Sequence, residues 1–214
     1  MIKAVIFDAE DVIYYRDEET LKPILDFFKK GNFHISAQQL KNALDEHRLE
    51  SYKGNISKDM HLKKALEFLK IKFDDKFFNE FAGVFRKNFS SIKVKNDILD
   101  VFKKIKSMGI KIAILTDTFS TEQNKLEWFK KISLAQFIDI IVCSSATGHT
   151  KDEKEAYEIT LQKLSLKAEE VIFVGHKRYE MQGAKLAGIK SVSIEKNVGE
   201  DYYIRDISKI LNLI

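Results

Sequence analysis

The chain has 214 residues, 44% of them apolar and 32% charged, with a formal net charge of +4 and a pI of about 8.9. That is enough for one α/β domain with a sizeable core plus a small accessory unit. A single cysteine, Cys143, excludes a disulfide framework within the chain and fits a reducing cytosol. The lysines are scattered among nearly as many acids, so the basic excess reads as a solvated surface. It suits a small anionic substrate and argues against a nucleic-acid partner. No stretch approaches the ~18 apolar residues needed to span a bilayer, and the apolar start Met1–Phe7 is too short for a signal peptide. The expectation is a soluble cytoplasmic protein without a membrane partner.

In chain order, the first element is a strand over Lys3–Phe7, ending at Asp8. A long interval follows, from about Asp11 to about Lys95, whose pattern predicts helices over Leu21–Lys30, Ala37–Leu49, Lys58–Lys70 and Asp75–Phe89. Pro23 falls in the first turn of the first of these. Phe27, Phe28, Phe33, Phe68, Phe73, Phe77, Phe78, Phe81, Phe85 and Phe89 supply an aromatic core for a helical bundle. After this interval, Ile98, Val101, Phe102 and Ile105 share one helical face, and Met108-Gly109 is a stop signal. The second strand is Lys111–Leu115, followed by Thr116-Asp117. Leu126, Phe129 and Ile132 mark another helix, and the third strand is Ile138–Cys143, followed by Ser144-Ser145. Cys143 ends an apolar run and reads as a small core residue. Ala156, Ile159 and Leu164 mark a helix before the fourth strand, Val171–Val174, which runs into Gly175-His176. Ala187-Gly188 stops the next helix, and the fifth strand is Ser191–Ile194.

Short, near-continuous apolar runs alternating with helices predict a parallel sheet buried on both faces, built from right-handed βαβ units. The fold class is therefore α/β, a Rossmann-like parallel sheet flanked by helices. The core is expected over residues 1–13 and 91–214, with an inserted α-helical cap over 14–90. Ligands of such sheets bind beyond the carboxyl ends of the strands. Asp8, Thr116-Asp117, Ser144-Ser145 and Gly175-His176 all fall at that edge.

Several of these segments resemble the ordered motifs of the haloacid dehalogenase-like hydrolases. Val5-Ile6-Phe7-Asp8-Ala9-Glu10-Asp11-Val12 resembles the first motif, and Ile114-Leu115-Thr116-Asp117 the second. Lys151, with Gly148 before it and Tyr157 after it, resembles the third. Val174-Gly175-His176-Lys177-Arg178-Tyr179-Glu180, followed by Gly183-Ala184-Lys185-Leu186-Ala187-Gly188, resembles the fourth. The helical insertion matches the cap of the subfamily with a cap between motifs one and two. The resemblance implies a phosphatase acting on a small phosphorylated molecule, with Asp8 as nucleophile and an aspartyl-phosphate intermediate. It implies that Glu10 serves as acid and base, and that Thr116 and Lys151 bind and neutralise the phosphoryl group. Backbone N–H groups of Ala9, Glu10 and Asp117 would complete the cradle. Asp117 itself either contacts substrate or caps the helix starting near Thr121, with the cap preferred. The implied cofactor is Mg²⁺, held by Asp8, Glu10, His176 and Glu180.

Two departures bear on activity. Glu10 stands where the family's phosphatases carry Asp, and Asp11 where they usually carry Gly. His176 stands where the family has a metal-binding Asp, and imidazole suits Zn or Ni better than Mg²⁺. The resemblance thus leaves three outcomes: weak Mg²⁺ binding, another divalent metal, or lost metal-dependent hydrolysis. An alternative expectation is a HAD-fold binding or regulatory protein with weak or absent catalysis. A 2-haloacid dehalogenase, which works without metal, ranks below phosphate-ester hydrolysis, because such enzymes usually carry a Tyr where this chain has Glu10.

Overall fold

The computed structural model describes residues 1–16, 21–89 and 92–214, with only the backbone at residue 89. The expected cap boundary at 90/91 and the side chain of Phe89 lie outside the described residues. Six strands form one sheet in the order β5-β4-β1-β6-β7-β8. They are β1 (Ala4–Phe7), β4 (Lys111–Thr116), β5 (Ile140–Cys143), β6 (Val171–Gly175), β7 (Lys190–Ile194) and β8 (Tyr202–Ile204), and every pairing is parallel. The edge strand β8 is a finding beyond the sequence expectation. Its Tyr202 and Tyr203 are exposed, so it lacks the unbroken apolar signal of its neighbours.

Side-chain alternation along the central strand builds both faces. Val5 and Phe7 enter a cluster with Ile112, Ile114, Ile172 and Val174. Ala4 and Ile6 enter the opposite cluster with Ala113, Leu115, Val171 and Phe173. Helix α6 (Ile98–Ser107) covers the first face with the expected Ile98, Val101, Phe102 and Ile105. Helices α9 (Lys154–Leu164) and α10 (Arg178–Leu186) cover the second. Two faces differ from expectation. In α7 (Glu122–Lys131) the buried side chains are Lys125, Trp128 and Phe129, with Leu126 and Ile132 only half-buried, because the helix turns Lys125 and Phe129 towards Tyr14. In α9, Tyr157 and Thr160 join Ala156 and Leu164 inside, and Ile159 is half-buried.

Between β1 and β4 the chain forms a short antiparallel pair, β2 (Tyr14–Tyr15) with β3 (Lys93–Val94), which the sequence reading missed. Helices α1 (Lys22–Lys30), α2 (Ala37–Glu46), α3 (Arg48–Tyr52), α4 (Lys58–Phe68) and α5 (Asp75–Phe89) lie between these two strands in sequence. They share their own core of Ile24, Phe28, Leu40, Leu62, Leu66, Phe78, Phe81 and Phe85. Phe68 departs from the expected aromatic core and is exposed. The single helix expected over Ala37–Leu49 is broken at His47, whose ψ of 21° ends α2 and starts α3. The break turns Arg48 and Tyr52 towards the sheet edge. Helix α3 meets α8 (Ser144–Thr147), where a Cβ on Gly54 (φ +73°) would lie 2.5 Å from the carbonyl oxygen of Ser145. Only a glycine tolerates both that backbone angle and that approach. No helix of the described residues is long and apolar enough to cross a membrane.

Candidate active site

The chain reverses direction across the sheet at β1, with β4 on one side and β6 on the other. The crevice beyond their carboxyl ends is where such sheets place a ligand. Asp8 leaves β1 there, its N–H bonded to the carbonyl of Val174 at 2.9 Å. Its side chain is almost fully buried, and Thr116, the last residue of β4, is buried beside it. Asp8, Glu10, Thr116, Asp117, Lys151, Lys177 and Tyr179 line a cavity of about 510 Å³.

Lys151 reaches this crevice from the loop between α8 and α9. Its ammonium donates to Asp8 Oδ1, and to Glu180 Oε1 at 2.7 Å. Tyr157, in the first turn of α9, places its hydroxyl within donating distance of the carbonyls of Glu180 (2.7 Å) and Lys151 (3.1 Å). Gly183 completes the support, since a Cβ there would lie 2.1 Å from the carbonyl oxygen of Lys151. Helix α10 can approach the lysine loop only because that position is bare. The pattern Lys151–Tyr157 followed by Gly183 therefore has a mechanical cause.

The charges follow from this packing. Burial opposes ionisation of Asp8, but Lys151 and His176 outweigh it and hold the carboxyl well below the ordinary carboxylate range. Burial likewise opposes the Lys151 ammonium, yet Asp8 and Glu180 hold it charged well above the usual lysine range. Asp8 is therefore an ionised, desolvated carboxylate with a fixed cation beside it. Cys143, by contrast, has its thiol pushed up to about 12 by burial and packs in the core as expected.

Glu180 is fully buried near the start of α10. Its Oε2 accepts the backbone N–H groups of His176 (2.9 Å) and Lys177 (3.1 Å). The imidazole of His176 lies across the acids, with Nδ1 3.2 Å from Asp8 Oδ2 and 3.7 Å from Glu180 Oε2, and Nε2 3.5 Å from Asp11 Oδ2. Both ring nitrogens are buried without a partner in hydrogen-bond geometry among the described residues. Asp11 has a φ of 63°, in the left-handed region that favours glycine.

Glu10 lines the cavity, and its carboxylate is paired with Arg16. Arg16 lies over the rings of Tyr14 (5.5 Å) and Trp128 (5.6 Å). Behind it, the buried Lys125 donates to the Tyr14 hydroxyl at 2.7 Å. Desolvation lowers the Lys125 pKa to about 8.

Asp117 does not cap α7. Thr121 does so, accepting from the N–H of Asn124. Asp117 instead accepts the N–H of Lys151 at 3.0 Å, and burial raises its carboxyl to about 6. Ala9 is buried, and its carbonyl accepts from Ile13 and Tyr14. Ser144 and Ser145 brace the loop after β4: Ser144 Oγ accepts from the N–H of Thr118, and Ser145 Oγ donates to the carbonyl of Ser120. The sequence reading missed Asp45, Arg48, Leu49 and Tyr52, which line the cavity from the helical insertion. The helix break at His47 brings them there, and the pattern of residues 37–49 does not reveal it.

A family model for haloacid dehalogenase-like hydrolases matches residues 2–188. The chain belongs to that family. It is an enzyme of the hydrolase class, with the motif residues gathered at one sheet edge. A glyceraldehyde 3-phosphate phosphatase of Methanocaldococcus jannaschii is 24% identical over 237 residues, covering 100% of this chain and 97% of that protein. A 2-haloacid dehalogenase from Pseudomonas syringae pv. Tomato DC3000 has a similar fold, with a TM-score of 0.77 at 16% identity, covering 100% and 98% of the two chains. The HAD-hydrolase YfnB from Bacillus subtilis, solved bound to magnesium, also has a TM-score of 0.77 at 16% identity, covering 99% and 98%.

The Mg²⁺ used by many hydrolases of this type can be tested against the residues present. Asp8, His176 and Glu180 place ligand-type atoms within 4.8 Å of one another. Mg²⁺, however, demands near-octahedral oxygen coordination at about 2.0–2.1 Å. Both oxygens of Glu180 already hold N–H donors, Asp8 Oδ1 holds Lys151, and the Glu10 carboxylate is turned to Arg16. An imidazole fills the remaining side. The residues present do not fit Mg²⁺.

Proposed function

We propose that the chain is a phosphatase of small phosphorylated metabolites, working through an aspartyl-phosphate on Asp8. The observation that carries this reading is the ionised Asp8 carboxylate, fixed by Lys151 at the floor of the cavity with Thr116 beside it. In the first step a carboxylate oxygen of Asp8 forms a bond to phosphorus, and the ester P–O bond breaks. The leaving oxygen takes a proton. In the second step water attacks phosphorus and gives a proton back to the group that protonated the leaving oxygen, the Asp8–phosphorus bond breaks, and inorganic phosphate leaves. Charge spreads over the equatorial oxygens during both steps, so positioned donors and cations carry the catalysis. Lys151 and the Thr116 hydroxyl are assigned that task, with the backbone N–H groups of Ala9, Glu10 and Asp117.

Two carboxyl groups compete for the proton-transfer role. Glu10 occupies the motif position, but its carboxylate is taken up by the Arg16 guanidinium. Asp117, raised to about 6, can both hold and release a proton near neutral pH. We assign protonation of the leaving group to Asp117 while Glu10 stays on Arg16. Residues 14–90 act in this reading as the cap, and Arg48, Tyr52, Asp45 and Leu49 set which substrate fits. The mildly basic chain and the small cavity suit a phosphorylated metabolite, the substrate class in the name of the Methanocaldococcus relative.

The test is turnover of a generic aryl phosphate with chelator, with Mg²⁺ and with Mn²⁺, beside Asp8→Asn. Turnover lost in that variant is expected. A second reading, a ligand-binding protein with little catalysis, is favoured by His176 and by the Glu10–Arg16 pair. Absence of turnover in folded protein under all three conditions is the result that would select it.

A further inference from the structure

We propose that the imidazole of His176 stands in the place of the metal, so that the Asp8 site excludes Mg²⁺ and its charge is balanced by protein groups alone. This rests on the phosphatase reading only for its catalytic meaning; the exclusion itself is a statement about binding. The ring lies between the carboxylates of Asp8 and Asp11. Nδ1 looks onto Asp8 Oδ2 at 3.2 Å, and Nε2 looks onto Asp11 Oδ2 at 3.5 Å. A metal takes one nitrogen of an imidazole, whereas here each ring nitrogen faces a carboxylate.

Glu180 closes the other side. It is fully buried, with Oε1 on Lys151 and Oε2 on the N–H groups of His176 and Lys177. To serve as a metal ligand it must give up the amide groups that open α10, leaving buried donors unpaired. Lys151 already supplies a full positive charge within hydrogen-bond distance of both acids. Lys177 and Arg178 follow His176 directly in the chain, and Lys177 lines the cavity. A dication entering here meets fixed positive charge and loses most of its shell without six oxygens to replace it. A phosphoryl anion, in contrast, meets Lys151 and Lys177 on entry.

The test is direct binding of Mn²⁺ to the full chain, read by electron paramagnetic resonance, for the wild type, Asp8→Asn, His176→Asp and the double variant. Circular dichroism checks that each is folded. The wild type and Asp8→Asn are expected to bind the same amount of Mn²⁺, at surface acids only. His176→Asp is expected to gain one site per chain, lost again in the double variant. One Mn²⁺ bound by the wild type and lost in Asp8→Asn would overturn the proposal. So would failure of a folded His176→Asp to gain a site, because the ring would then not be what excludes the ion. Aryl phosphate turnover is measured in parallel with chelator present. Its absence with and without metal counts against the phosphatase reading and leaves the binding result to decide the exclusion.

Discussion

The two oxygens of Asp8 look onto two halves of the site that are built differently. On the Oδ1 side, Lys151, Glu180 and Tyr157 are buried and bonded to one another, and the bare, buried Gly183 packs against the Lys151 carbonyl. On the Oδ2 side, His176 faces carboxylates without hydrogen-bond geometry, and the side chain of Glu10 is 45% exposed and paired with Arg16. The first half is part of the hydrophobic core, so its chemistry and the stability of the fold are coupled. The second half is a rim of loop residues, where a side chain can change without a cavity opening beneath it. The departures at Glu10, Asp11 and His176 fall on the second half.

The comparison predicts unequal costs. The largest belongs to Lys151→Met, which leaves Asp8 and Glu180 buried without their cation. Breaking such a pair costs about 3–5 kcal/mol, and chemical denaturation should read it together with loss of turnover. The linked acid dependence has a definite sign. Asp8 has its folded pKa below its unfolded value, so its contribution to stability is present above the ordinary Asp range and is lost as pH falls below it.

Gly183→Ala comes next. Overpacking against the Lys151 carbonyl should cost about 1–3 kcal/mol, and displacement of the ammonium should lower kcat by about a hundredfold. A variant with wild-type melting and turnover would show that α10 does not position Lys151.

Asp117→Asn sharpens the contrast from the opposite direction. The folded carboxyl is raised to about 6, so its burial penalty is absent below about pH 4 and complete above about pH 6. The variant should be more stable by about 1–2 kcal/mol at pH 7–8, a figure reduced for partial exposure, and no more stable at pH 4. It should also remove the alkaline fall of kcat if Asp117 protonates the leaving group, an effect that Glu10→Gln should not reproduce.

The smallest effect is that of Lys125→Met, behind the Oδ2 side. The lysine is buried as a cation with its pKa lowered to about 8, so its penalty is complete below pH 8 and lifts towards pH 10.5. The variant should gain about 1 kcal/mol at pH 7, because an apolar side chain of similar volume replaces an ion, set against the lost bond to Tyr14. The gain should shrink as pH rises, and a loss of stability at pH 7 would make the Tyr14–Lys125 contact a net support.

The same division governs what the sequence discloses. The strands carrying Asp8, Thr116 and Gly175 are near-continuous apolar runs, and burial on both faces of a parallel sheet makes such runs stand out. Lys151 is recognisable through its spacing to Gly148 and Tyr157, and the structure gives that spacing a cause in the hydroxyl that holds the lysine carbonyl. Strand β8 is hidden because Tyr202 and Tyr203 face solvent at a sheet edge. Arg48 and Tyr52 are hidden because a helix break at His47, not a periodicity, brings them to the cavity. Lys125 is hidden because a lysine between Asn124 and Leu126 reads as helix surface, whereas its amine lies over the Trp128 ring and donates to the Tyr14 hydroxyl. Asp117 reads as a cap in the sequence because carboxylates commonly serve there, and Thr121 takes that position instead.

The account stands most directly on the covalent role of Asp8. Wild-type protein mixed with an aryl phosphate, quenched in acid during turnover and mapped by peptide mass spectrometry should carry one phosphoryl group on the peptide containing Asp8. Asp8→Asn should carry none and should hydrolyse nothing above background. Phosphoryl label on another residue, or undiminished turnover in Asp8→Asn, would contradict the account.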